Sequence, residues 1–259
     1  MLFPVRLSLV TYNLWGTERW PARAPALAAF CDRYRPDVLC TQELTPATQS
    51  FLDDQLPSHA RVTDPFEGWT LESNLWWRSD LFDEVRHGAE DVGIVAYPRR
   101  RLFWVRLHPQ GWDRSMVVAT VHLTDAAGDE LRTGATPRVR ETQAVIAALR
   151  EIVGADEPAF LTGDFNDALL PVAALFGAGY TSCFGALGQL PPPTMPASVS
   201  RFGVAGFSTA FVYDWIVANR HARAVAASVP HVYAHDVAPS DHWPVQAVYD
   251  LASGAGSGE

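Results

Sequence analysis

Six times along this chain a strand-like apolar run delivers a residue that can hold a cation or a proton. "LVTYN" ends at Asn13, "LCTQE" ends at Glu43, "VATVH" ends at His122, and "FLTGDFN" supplies Asp164 and Asn166. "FVYD" places Asp214 within its strand, and "SDHW" sets Ser240, Asp241 and His242 just before the last strand. One such stop is an ordinary turn signal. Six of them call for a fold in which strand ends converge on one polar pocket, and few architectures do that.

The segments around these stops carry their own signals. "VRLSLVTYNL" (5–14) alternates and is β-branched, as a strand requires. "ARAPALAAFCDRY" (22–34) reads as a helix that stops before Pro36. "DVLCTQE" (37–43) reads as a buried strand. In "TPATQSFLDDQL" (45–56), Thr45 is the expected N-cap and Pro46 the first helical residue. "RVTDP", "TLESNLWWR", "DVGIVAY", "RLFWVRL" and "SMVVATVHL" read as strands separated by polar turns, an antiparallel meander. A long amphipathic helix is expected over 136–153, then a strand that breaks at Gly163 and a short helix. Residues 177–207, rich in Gly, Pro and Ser and containing "LPPPTMP", read as a long loop. Three final strands follow, within 210–219, in "ARAVAASVP" and over 243–251.

Helices therefore come in two groups, with strand runs between and after them. That order predicts an α+β fold, a four-layer α/β sandwich of two mainly antiparallel sheets packed face to face with helices outside. No charge run or flexible linker divides the chain, so one domain is expected over 1–251, with 252–259 a disordered tail. At 259 residues the chain can bury a sizeable core without staples. The three cysteines, Cys31, Cys40 and Cys183, match no zinc spacing and read as buried free thiols. No apolar run reaches the length of a membrane span, and no secretory apolar segment is read ahead of the cysteines. A cytoplasmic protein is the expectation, with no obligate protein partner evident. The net charge of −9 disfavours binding to long duplex DNA.

The chemistry open to the pocket is narrow. Carboxylates and carboxamides without thiolates suit a hard cation, Mg²⁺ or Mn²⁺. Two histidines add groups that titrate near neutral pH. A cation, an activated water and a general acid are the parts needed to hydrolyse a phosphoester. No nucleophile elbow, phosphate-binding P-loop or dinucleotide fingerprint is present.

The set "TYNLW", "TQEL", "VHL", "GDFND", "YDWIV" and "SDHWPV", in this order, resembles the endonuclease/exonuclease/phosphatase superfamily. The resemblance implies that Glu43 binds the metal directly and that Asn13 and Asp241 complete its surroundings. It implies that Asp164 orients or deprotonates the attacking water, with Asn166 beside it. His242 would contact the scissile phosphate, with Asp214 fixing its tautomer. His122 would be the second imidazole, and Glu72, in "TLESNLWWR", the candidate carboxylate behind it. Asp167 reads as the cap of the next helix rather than a ligand.

The substrate is less legible. "SDHW" resembles the tyrosyl-DNA phosphodiesterase branch, and the following "PV" resembles the inositol phosphatase branch; neither matches well elsewhere. The expected reaction is hydrolysis of a phosphodiester or phosphomonoester, with a small or medium substrate favoured. A nuclease or DNA-end-processing phosphodiesterase is the alternative, and a non-catalytic binding module on the same fold the second. Trp243, Arg99 and Arg101 are candidate substrate-binding residues, the arginines from the one basic–aromatic stretch, "YPRRRLFWVRL". The competing reading makes Arg99, Arg100 and Arg101 solvated residues flanking a hydrophobic strand. Trp76 and Trp77 must face opposite sides of their strand, so at least one belongs to the core.

Overall fold

Three runs in this chain, Val38–Gln42, Met116–His122 and Ala159–Asp164, are buried at every position. A strand of that kind has to be covered on both faces. In the computed structural model, which describes residues 5–125, 137–197 and 210–251, such strands form the centres of two sheets.

The elements follow in the order β1 (Val5–Asn13), α1 (Ala24–Tyr34), β2 (Val38–Gln42), α2 (Pro46–Gln55), β3 (His59–Arg61), α3 (Gly68–Leu71), β4 (Asn74–Arg78) and β5 (Phe82–Glu90). Then come β6 (Leu102–Pro109), β7 (Met116–His122), α4 (Pro137–Ile152), β8 (Ala159–Asp164), α5 (Leu170–Gly177), β9 (Tyr180–Ser182), α6 (Cys183–Ala186), β10 (Asp214–Asn219), β11 (Ala222–Ser228) and β12 (Val245–Leu251). One six-stranded sheet has the order β11-β12-β1-β2-β4-β3, the other β5-β6-β7-β8-β10-β9. Each contains one parallel pair, β1 with β2 and β7 with β8, among otherwise antiparallel neighbours.

The layers follow from alternation. Leu7, Leu9, Val38, Cys40 and Trp77 of the first sheet meet Phe103, Val105, Val118, Phe160 and Ile216 of the second in the central core. On the outer face of the first sheet, Val10, Tyr12, Leu39 and Trp76 pack on Leu27 and Phe30 of α1 and Leu52 of α2. On the outer face of the second, Val117, Val121, Leu161 and Val217 pack on Val145 and Leu149 of α4 and Leu175 of α5. This is the expected sandwich. Trp76 and Trp77 do face opposite sides, and both are core. The helix starts follow their sequence signals too: Thr45 caps α2 with a reciprocal Thr48 bond, and Pro46 opens the helix. The three cysteines are buried free thiols, each held up at about 12 by burial. Among the described residues no helix is long and apolar enough to cross a membrane.

Several expected strands fall elsewhere. "DVGIVAY" forms turns, because Asp91 accepts from the Gly93 amide and Gly93 takes φ +80°. The strand of that region is β5 instead, an edge strand with mixed charges that conceal its pattern. "TLESNLWWR" is split: α3 ends at Leu71, and the strand starts at Asn74. "RVTDP" contributes only Arg61 to β3. β4 pairs with β2, so the middle of the chain is not one meander; only β5, β6 and β7 are. The expected loop over 177–207 holds β9 and α6, and its residues 198–207 lie outside the described set, as do Thr136 and the tail 252–259. The strand over Gly163 does not break. It continues to Asp164, and Gly163 is there because its φ of +138° and the Val121 carbonyl oxygen, 1.9 Å from where a Cβ would sit, admit no side chain.

Candidate active site

Strand register brings three of the candidate residues onto one rung. β7 and β8 run parallel with His122 opposite Asp164, and β10 runs antiparallel to β8 with Asp214 opposite Asp164. Asp214 is thus the first residue of its strand, not an interior one. The start of an antiparallel strand lies beside the end of its neighbour, so the site gains a carboxylate there.

Each histidine has a carboxylate behind it. His122 Nδ1 bonds Glu72 Oε1 at 2.9 Å, and His242 Nδ1 bonds Asp214 Oδ2 at 2.7 Å. A carboxylate accepts, so in both rings Nδ1 carries the proton. The two Nε2 atoms then converge on Asp164 Oδ2, at 3.6 Å from His122 and 3.8 Å from His242. These distances exceed hydrogen-bond contact, which leaves each Nε2 facing the space between. Burial opposes a charge on His242, but Asp214 and Asp164 outweigh it and hold the imidazole well above its ordinary range. For His122, burial and the Arg100 charge are outweighed by Glu72 and Asp164, and its value is raised. Burial pushes Glu72 upward, yet its bond to His122 and the charges of His122 and Arg100 bring it below the usual carboxylate range.

The first sheet supplies the other half. Asn13 ends β1, and Glu43 follows β2 in a left-handed conformation, φ +52°. Asn13 Nδ2 donates to Glu43 Oε1 and to Asp164 Oδ2, both at 3.0 Å. The second bond crosses from one sheet to the other. Trp15 N donates to Asn13 Oδ1 at 2.9 Å and fixes the amide. Burial pushes the Asp241 carboxyl up to about 6; the Glu43 charge adds to this and His242 opposes it. Glu43 and Asp241, with the Asn13 amide and no thiolate, are a donor set that fits a hard divalent cation.

Asp164, Asp214 and His242 offer ligand atoms within 4.8 Å of one another, a second arrangement able to hold an ion. Asp214 Oδ2 is already committed to His242 Nδ1, so these three fit proton handling better than ligation. Asn166, at φ +48°, donates its amide N–H to Asp164 Oδ1 and its side-chain N–H to Leu123 O. Asp167 Oδ1 accepts from the amides of Leu169 and Leu170 just ahead of α5, although the N-cap position itself is Leu169 rather than Asp167.

Three expected residues stand apart. Trp243 is buried, stacked on His231 with ring centroids 4.4 Å apart. Arg99 bonds Glu67 at 2.8 Å on the surface, and Arg101 lies 3.5 Å from Asp91. The arginine that turns inward is the middle one. Arg100 is buried, its Nε 3.5 Å from Glu72, its Nη1 donating to Leu123 O and its guanidinium 3.9 Å above the Tyr97 ring. Nothing in "PRRR" separates the three; only the turn after Tyr97 does. Gln42 was also unmarked. Its Nε2 donates to Thr120 Oγ1 at 2.7 Å and ties the sheets together, from the residue opposite Asn13 to the one two positions before His122.

Residues 10–242 match the model of the Endonuclease/Exonuclease/phosphatase family. No curated protein matches the chain in sequence. Among solved structures, D. rerio TDP2 complexed with single strand DNA product is similar, with a TM-score of 0.80 at 18% identity over 95% of this chain and 99% of that one. An endonuclease/exonuclease/phosphatase family protein from Bacteroides thetaiotaomicron gives 0.76 at 18% identity over 96% and 99%. A mannosyl-6-phosphatase from the same organism gives 0.74 at 18% identity over 95% and 99%. At these identities the likeness is one of fold.

Proposed function

The chain belongs to the endonuclease/exonuclease/phosphatase family, and on that premise we propose that it is a divalent-metal-dependent phosphoesterase acting on a small or medium phosphoester. The observation that carries this reading is the convergence of two carboxylate-backed imidazoles and the Asn13 amide on Asp164 Oδ2.

Glu43 and Asp241, with Asn13, would hold Mg²⁺ or Mn²⁺. That ion supplies positive charge to the phosphate and makes water more acidic. Asp164 orients the attacking water and takes its proton as the oxygen bonds to phosphorus. The ester P–O bond breaks, its oxygen takes a proton from solvent water and leaves as the alcohol, and Asp164 gives up to solvent the proton it took. His242 and His122, kept protonated by Asp214 and Glu72, donate from Nε2 to the phosphate oxygens as charge develops. Asn166 holds Asp164 through its main-chain amide.

Arg99 and Arg101 are already partnered by Glu67 and Asp91, and the net charge is −9. Both support a small substrate over a long polynucleotide. The likeness to TDP2 complexed with single strand DNA product favours DNA-end processing as the second reading. One assay separates them: hydrolysis, with Mg²⁺ or Mn²⁺, of single-stranded and duplex DNA, RNA, sugar phosphates, inositol phosphates and lipid headgroup esters. Asp164→Asn serves as the blank. Turnover of a small ester supports the first reading, cleavage of a polynucleotide the second, and silence across the panel with no metal binding would leave a non-catalytic module.

A further inference from the structure

Arg23 is fully buried, yet its hydrogen bonds among the described residues all go to main-chain carbonyls. Nε donates to Glu18 O at 2.7 Å, and Nη2 to Trp15 O and Gly16 O at 3.4 and 3.3 Å. Nη1 donates to Pro239 O, across 216 positions of sequence. The guanidinium also lies 5.3 Å from the Trp15 ring and 5.7 Å from the Trp20 ring. A buried guanidinium bonded to carbonyls alone carries a desolvation cost for its charge, so its place calls for another reason.

The carbonyls it gathers belong to two segments. Trp15, Gly16 and Glu18 lie in the loop that follows Asn13. Pro239 lies just before Ser240, Asp241 and His242. The first segment is strained: Trp15 has φ +59°, rare for a bulky side chain, and Gly16 has φ +49°. Such a backbone persists only where its surroundings over-determine it. Trp15 in turn fixes Asn13 through its main-chain amide. Burial disfavours the Arg23 charge, and the carboxylates of Asp241 and Glu43 are among the groups that favour it.

We infer that Arg23 is a positioning residue for the metal-binding half of the site: its planar fork sets the spacing between the loop that orients Asn13 and the segment that presents Asp241. This rests on the metal reading given above. A purely electrostatic role predicts the opposite behaviour, because removing a positive charge near a cation site should tighten cation binding.

The test is calorimetric titration of Mn²⁺ into the parent protein, Glu43→Gln, Arg23→Met, Arg23→Lys and Arg106→Met, with a denaturation midpoint for each. Arg106 bonds Glu157 away from the site and controls for general loss of stability. The parent is expected to bind and Glu43→Gln to lose binding. Arg23→Met and Arg23→Lys should both weaken binding by about tenfold or more, as losses of outer-shell support do, while Arg106→Met keeps the parent's affinity. Lysine keeps the charge and the apolar stem but cannot reach two segments at once, so it decides alone if the methionine variant does not fold. Parent-like or tighter Mn²⁺ binding in the Arg23 variants overturns the inference. A parent that binds no Mn²⁺ overturns the metal reading itself, and the inference with it.

Discussion

His122 and His242 aim their Nε2 atoms at one oxygen, Asp164 Oδ2, from 3.6 and 3.8 Å. Neutralising Asp164 should therefore disable both imidazoles and the water-activating base together. Asp164→Asn is expected to fold, with a circular dichroism spectrum like the parent's, and to lose at least about a hundredfold in turnover. Parent-like kcat in that variant sinks the mechanism.

The His242–Asp214 pair makes a prediction about pH. The folded imidazole keeps its proton to a higher pH than the unfolded one. The pair's stability is therefore complete below about pH 6.5, the ordinary histidine value, and is lost as pH rises through the folded midpoint. With chelator present, the melting temperature should fall as pH rises from about 6.5. Asp214→Asn should flatten that decline, and the His242 ring should titrate lower by NMR. An unchanged profile would mean that the pair carries no charge.

Gly163 tests the strand packing beneath the site. A methyl group at this position would meet Val121 O at 1.9 Å, on a φ of +138°. Gly163→Ala should cost more than about 4 kcal/mol, among the largest single-residue effects. Urea denaturation would measure this, or insoluble expression would reveal it. A variant within about 1 kcal/mol of the parent would show that β7 and β8 can part.

Metal binding should be visible in stability. At a hundred times its dissociation constant a ligand adds about 2.7 kcal/mol, so Mn²⁺ should raise the melting temperature of the parent and leave Glu43→Gln unmoved. An equal rise in both would place the ion elsewhere, with Asp164, Asp214 and His242 the next group to test.

What could be read from sequence was set by distance along the chain. Asn13, Glu43, His122, Asp164 and His242 each end or adjoin an apolar run, and a polar residue there is conspicuous. Glu72 was found through a motif assigned to a strand, although it caps a short helix. Arg100 was invisible, because its neighbours have the same side chain and only the turn that buries Arg100 against the Tyr97 ring distinguishes it. Trp243 misled for the opposite reason: adjacency to His242 says nothing about which way a ring points. β5 was missed because an edge strand exposed on much of its length loses the period that marks the others.

The Asn13–Asp164 hydrogen bond spans the gap between the sheets, and Gln42–Thr120 spans it beside the first. The interior therefore works as a caliper. A core substitution that thickens the sandwich by a few tenths of an ångström can be absorbed by side-chain repacking at small cost to stability. The same swelling would draw Asn13 away from Asp164 and open the site along its seam. Overfilling at Phe160 or Val105, both remote from any reacting atom, should thus be felt in turnover before it is felt in melting.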